Sequence, residues 1–152
     1  MDTVFTPTAP QRTLVVLAAE CDGEHLVDQL AAHDHAHGAI RVVAPLVGDR
    51  LSRYIFGDDR TTRPAAEHRL AEAIGAFAHH GIDATGGTGD ADPLQAIADE
   101  SVTFHPDELL LVVHPSKRRE WYEKHLPERV AERFALPVQT VEAIPILRFA
   151  QP

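Results

Sequence analysis

Apolar runs recur along this chain at regular intervals, and between them apolar positions fall three and four residues apart. Arg12-Thr13-Leu14-Val15-Val16-Leu17-Ala18 is almost continuously apolar, as a strand buried on both faces must be. Asp22-Gly23 interrupts it, and Asp22 stands where a helix cap belongs. Leu26, Val27, Leu30 and Ala31 then follow helical spacing, with Gly38 placed as a terminating glycine. Ala39 to Ala44 reads as a second strand, ended by Pro45. The stretch Leu46 to Arg63 is a long connection, and connections of that length often carry function.

Pro64 is predicted to start the next helix, with Ala66, Leu70, Ile74 and Phe77 as its buried stripe and Gly81 as its stop. Ile82 to Thr88 is a strand weakened by Gly86 and Gly87, which suits a sheet edge. Asp92-Pro93-Leu94-Gln95 reads as cap, first helical residue and capping-box glutamine. Leu94, Ile97 and Ala98 face inward from that helix. Leu109 to Val113 is the most apolar strand and is expected near the sheet centre. Tyr122, Leu126, Val130 and Phe134 mark a fourth helical region, from about Arg119 to Phe134. Pro127 demands a break or a fresh start within it. Pro137 to Val141 is the last strand, and the apolar Ile144 to Leu147 has no predicted element.

The order β-α-β-α-β-α-β-α-β predicts a parallel sheet with right-handed crossovers and helices on both faces, a three-layer α/β/α sandwich. The 152 residues suit one domain, with 1–11 a leader, 12–142 the domain and 143–152 a tail. The leader lacks a basic residue and an apolar core of signal type, and no run spans a bilayer, so a cytoplasmic protein is expected.

Charge and cysteine content narrow the function classes. A formal net charge of -9 argues against non-specific nucleic-acid binding and against docking on anionic membrane. Cys21 is the only cysteine, so neither an internal disulfide nor a thiolate-rich zinc site is available. Before a helix start its thiol can gain acidity, though a packed small residue is the plainer reading.

Several local sequences sharpen the fold. Gly89-Asp90-Ala91-Asp92-Pro93 with Ala96-Ile97 follows the third strand, Asp107 to Val112 gives an acidic lead into the fourth, and Leu136-Pro137-Val138 leads into the fifth. Together with Trp121 and Arg133-Phe134, this ordered set resembles the universal stress protein family, most closely its divergent actinobacterial members, over about Arg12 to Glu142. The resemblance implies an adenine nucleotide alpha hydrolase-like, Rossmann-like sheet of order 3-2-1-4-5. It also implies a ligand cleft where the first and fourth strands end, at the switch in strand order. Family members often dimerise through the fifth strand, and many bind ATP.

Family-type ATP binding uses a glycine-rich stretch after the fourth strand, where backbone amides approach phosphates closely. Here all 9 glycines stand at or before Gly89. The matching stretch is His114-Pro115-Ser116-Lys117-Arg118-Arg119-Glu120-Trp121, which has no glycine. That departure argues against ATP or AMP as a cofactor. Lys117 and Arg118 beside Ser116 instead put cations at an expected helix start, which favours an anionic phosphate or carboxylate. A solvated basic turn in an acidic protein is the alternative.

Glu20 and Asp22 follow the first strand near the family's acidic ligand position, with helix capping the plainer role for Asp22. Gly89 and Asp90 follow the third strand, and His114 ends the fourth at the expected cleft mouth. His33-Asp34-His35-Ala36-His37 invites a metal, but that spacing on a helix does not aim three rings at one point, so no metal is expected. His79-His80 is another helix-end pair, which the helix dipole accounts for. Tyr54-Ile55-Phe56 is too apolar for a free loop and suits a lid or an interface. No Walker loop and no G-x-G-x-x-G follow the first strand.

The expected function is a non-enzymatic, homodimeric binding or regulatory module that takes a small anionic ligand at Glu20, Asp22, Gly89, Asp90, His114, Ser116, Lys117 and Arg118. The alternatives are an enzyme acting on a phosphorylated or carboxylated small molecule and a pure dimeric scaffold.

Overall fold

Nine elements alternate strictly between strand and helix in the computed structural model, which describes residues 11–32, 37–47, 62–115 and 123–144. They are β1 (Gln11–Leu17), α1 (Gly23–Ala31), β2 (His37–Pro45), α2 (Thr62–His79), β3 (Ala84–Gly89), α3 (Pro93–Phe104), β4 (Glu108–Val113), α4 (Leu126–Phe134) and β5 (Val138–Glu142). All neighbouring strands pair in parallel, and the sheet order is β3-β2-β1-β4-β5.

This order follows from handedness. Stepping from β1 to β2 to β3 moves one way across the sheet, so right-handed crossovers carry α1 and α2 onto one face. The chain then passes back over β2 and β1 to β4 and continues to β5. The same handedness now lays α3 and α4 on the opposite face. The two cores record this split. Val15 and Leu17 pack with Leu26, Leu30, Ala73 and Phe77, whereas Leu14 and Val16 pack with Leu94, Ile97, Leu126 and Val130. Period-two alternation thus divides one apolar strand between two cores. β4 is buried along its whole length beside β1.

Several boundaries differ from the sequence reading, each for a physical reason. α1 ends at Ala31, and Gly38 lies inside β2 instead of closing the helix. The register runs Gln11↔His37 and then Thr13↔Ile40, so β2 spends an extra residue there. Glycine serves such a bulge as readily as a helix end. α2 begins at Thr62, which places Pro64 in the first turn. Its missing donor costs nothing there, because first-turn N–H groups have no intrahelical acceptor. Pro127 does mark a fresh helix start, one residue into α4.

Gly81 ends α2 as expected, at φ +74°. Ile82 N–H donates to Phe77 O at 2.8 Å and Gly81 N–H to Ala78 O at 3.0 Å, the paired bonds of a Schellman close. β3 takes the sheet edge, as its glycines imply. A Cβ on Gly86 would lie 2.4 Å from Val42 O and 2.7 Å from Leu70 Cδ1, so the bare backbone lets α2 settle onto the edge.

Asp92 caps α3 by accepting from Leu94 N–H at 3.0 Å, with Pro93 as the first helical residue. Gln95 does not complete a capping box. Its amide donates to Asp99 Oδ1 at 2.8 Å, and the Asp92 N–H goes instead to Asp90 Oδ1 at 2.9 Å. Asp90 is nearer in sequence and reaches that donor without crossing the helix end.

At the N-terminal pole of the sheet, the buried Thr13 hydroxyl donates to the buried Glu108 carboxylate at 2.6 Å, which answers a desolvated charge. Arg41 of β2 holds Glu100 of α3 through two contacts, at 2.9 and 3.2 Å.

Candidate functional site

The C-terminal ends of β1 and β4 lie side by side at the point where crossovers leave in opposite directions. Open α/β sheets bind ligands at such a point. Register pairs Leu17 with Val112, and Ala18 N–H still donates to Val112 O at 3.0 Å. On the other side, Ala143 N–H donates to Val113 O at 2.8 Å, which sets Ala143 beside His114. Ala18, Ala19 and Ala143 are all buried. The floor of this region is therefore built from small side chains, and His114 is the polar group at the β4 tip.

His114 is half-buried and is held by Glu123, whose side chain is fully buried just before α4. One Glu123 oxygen accepts from the His114 backbone N–H at 2.6 Å, and the other meets His114 Nδ1 at 2.6 Å. Both contacts are shorter than an ordinary amide hydrogen bond of about 2.9 Å, as expected when a charge assists. This dyad is the most tightly built polar arrangement among the described residues at that end of the sheet.

Glu20 and Asp22 face a different neighbourhood. Glu20 is exposed, and its carboxylate stands 3.8 Å from His68 Nε2 of α2. Asp22 occupies the N-cap position of α1, but its side chain makes no capping bond. Its backbone N–H donates to Ile144 O at 2.7 Å, which ties the chain beyond β5 to the start of α1. Asp22, Glu24, His68 and Glu72 line an open groove of about 390 Å³ between α1 and α2. Across the same helix pair, Glu24 meets His80 Nε2 at 2.7 Å. The groove is narrow at Gly23, where a Cβ would lie 2.4 Å from Ala76 Cβ. Cys21, just before Asp22, is buried. Burial pushes its thiol above the ordinary value, the Ile144 backbone pulls it down, and Asp22 adds to the rise. Such a thiol holds its proton and is a poor nucleophile.

Gly89 and Asp90 lie at the tip of the edge strand. Three strand spacings, about 14 Å in all, separate β3 from β4, so the sheet does not bring these residues to His114 through backbone pairing. Gly89 is small because a Cβ would meet Val43 Cγ2 at 2.8 Å and Ala96 Cβ at 2.9 Å. Asp90 is engaged at the α3 cap. At the tip of β2, the buried Arg69 of α2 donates from one terminal nitrogen to Pro45 O at 2.8 Å and Val47 O at 3.2 Å.

Of the eight residues singled out from sequence, His114 sits at the β1/β4 tips, with Glu20 and Asp22 just beyond β1 toward α2, and Gly89 and Asp90 at the far edge. Ser116, Lys117 and Arg118 lie outside the described residues, as do His33 to Ala36, Trp121, Tyr122, most of the 46–63 connection and the tail beyond Ile144. Sequence reasoning missed Glu123 and Arg69. The signal for Glu123 was its place three residues before Leu126 and seven before Val130, on the buried side of the helical pattern. Arg69 falls between Ala66 and Ala73 on the face that α2 buries.

Among the described residues no group of three or more His, Cys, Asp or Glu side chains is placed to hold a metal, and no helix is long and apolar enough to cross a membrane.

This architecture is the α/β fold of the adenine nucleotide alpha hydrolase-like type. No family model and no curated protein matches the chain. Among solved structures, it is similar to the universal stress protein from Archaeoglobus fulgidus, with a TM-score of 0.57 and 12% identity, over 87% of this chain and 93% of that one. It is also similar to a universal stress protein family protein from Arabidopsis thaliana solved with AMP bound, with a TM-score of 0.55 and 16% identity, over 89% of this chain and 93% of that one. The chain therefore has the universal stress protein fold.

Proposed function

We propose that this chain is a universal-stress-protein-like binding module that takes a small anionic ligand at the tips of β1 and β4 and catalyses no reaction. The single observation that carries this reading is His114, held at the switch point by a buried carboxylate. Lys117 and Arg118, three and four residues further along the chain, would supply the cations, and Ser116 a hydroxyl. Glu20 and Asp22 follow β1 but turn toward α2, so they are secondary to His114 in this reading. Gly89 and Asp90, at the far edge of the sheet, have no part in this reading.

The ligand is not held as family members hold ATP. Backbone amides freed by glycine are the means of that contact, and no glycine follows Gly89. Side-chain cations replace them. The Arabidopsis protein's AMP makes a nucleotide monophosphate a fair probe, alongside inorganic phosphate. The module acts in the cytoplasm as a homodimer. β5 ends the sheet, and an edge strand needs a cover.

The test is calorimetric titration of nucleotides and phosphorylated metabolites into wild type and the Lys117→Ala/Arg118→Ala variant. Binding by wild type that weakens strongly in the variant is the expected result. Equal binding removes those side chains from the site. Light scattering at micromolar concentration reads the dimer, and a strict monomer ends that part of the proposal.

One observation favours a second reading. An imidazole bonded to a carboxylate through Nδ1 is also the arrangement of an oriented general base. Turnover of a phosphate or carboxylate ester that is lost in His114→Ala would make the chain an enzyme.

A further inference from the structure

We propose that Glu123 is a positioning residue, which fixes both the direction and the tautomer of the His114 ring and so decides which ring nitrogen meets a ligand at the β4 tip. The inference rests on the binding reading above only in its last step.

β4 fixes the His114 N–H, and Glu123 Oε2 accepts from it at 2.6 Å. With that oxygen anchored, the planar carboxylate leaves Oε1 only one arc of positions. The ring turns so that Nδ1 meets Oε1, also at 2.6 Å. A carboxylate accepts and has nothing to donate, so Nδ1 carries the hydrogen. The neutral ring then offers a lone pair at Nε2, and the charged ring offers Nε2–H. A hydroxyl suits the first, and a phosphate or carboxylate oxygen suits the second.

Full burial makes the fork hard to replace. Glu123 has no exposed surface, so water does not stand in for a lost partner. Glutamine in its place has nearly the same shape, but one of its two terminal atoms is an NH2 group. It accepts from one His114 donor and confronts the other with a second donor. Aspartate keeps two acceptors on a shorter stem.

Nitrogen NMR of the His114 ring in the full, ligand-free chain reads the tautomer directly. The expected neutral form in wild type carries its hydrogen on Nδ1. Glu123→Gln moves the ring signals toward the Nε2–H form, and Glu123→Asp brings them part of the way back. Wild type with the hydrogen on Nε2 overturns the inference, whether or not any variant folds. A ring spectrum unchanged in folded Glu123→Gln does the same. Inorganic phosphate and AMP are then titrated into wild type and Glu123→Gln, and the affinities should differ, because the variant's neutral ring presents Nε2–H where the wild-type neutral ring presents a lone pair; equal affinities would show that the ring's tautomer does not reach the ligand. A wild type that shows the Nδ1 hydrogen but binds neither probe sinks the anion site and leaves the ring lock supported.

Discussion

Gly23 and Ala76 bring the start of α1 against the later turns of α2 so closely that no side chain fits between them. A Cβ on Gly23 would lie 2.4 Å from Ala76 Cβ and 3.2 Å from Glu72 O. Helix propensity alone favours alanine over glycine by up to about 1 kcal/mol. Overpacking costs about 1–3 kcal/mol, and here the near neighbours belong to a helix and do not yield easily. Gly23→Ala should therefore lower stability in urea denaturation, and Ala76→Gly in the same chain should recover part of the loss. A Gly23→Ala protein as stable as wild type would show that the two helices move apart freely.

The start of α3 is held by two aspartates in series. Asp90 accepts from Asp92 N–H, and Asp92 accepts from Leu94 N–H. Asp92→Ala should cost about 1 kcal/mol, the usual worth of a cap. Asp90→Ala should cost a similar amount, because it strips the acceptor from the Asp92 amide. Gln95→Ala loses only a surface pairing with Asp99, worth about 0.2–0.5 kcal/mol. Denaturation of the three variants ranks them, and a Gln95 variant weaker than the Asp90 variant would restore the capping-box reading.

Cys21 links stability to alkaline pH. Its thiol lies above the ordinary 9.0 in the folded chain, chiefly because burial disfavours the thiolate. The folded chain thus keeps this proton at pH values where the unfolded chain has lost it. Its contribution to stability is whole below pH 9.0 and falls as pH rises from there through the folded-state value. Wild type should lose stability more steeply than Cys21→Ala above pH 9.0, and the two slopes should agree at neutral pH. Parallel slopes throughout would mean that Cys21 is ionised as readily in the fold as outside it.

The legible parts of the molecule were those whose cause is local. Gly81 announces the end of α2, and Asp92-Pro93 announces the start of α3, because each acts on groups within a turn of itself. Gly38 misled for the same reason. Its backbone freedom suits a helix stop equally well, yet β2 uses it where the register with β1 slips. The stripe on α2 was half right. Ala66 and Phe77 are buried, but Leu70 and Ile74, which pack over edge strand β3 at Gly86, are only partly covered.

The site was legible as a place and not as a set of contacts. His114 was found by its position at the end of an apolar strand. Glu123 was passed over because a carboxylate in a charged stretch reads as solvated. Asp22 stands at the cap position of α1 without a side-chain capping bond and borders the α1–α2 groove.

The recurrence of apolar runs with helical spacings between them was enough to establish five strands, four crossing helices and a sheet with two covered faces. Hydrophobic burial depends on spacing along the chain, and spacing is written in the residues themselves. Which groups meet at the strand tips was decided only in three dimensions. The Glu123 carboxylate reaches His114 because packing on one face of the sheet brings the approach to α4 back over the end of β4, and the cost of burying that charge without a partner holds the pair together.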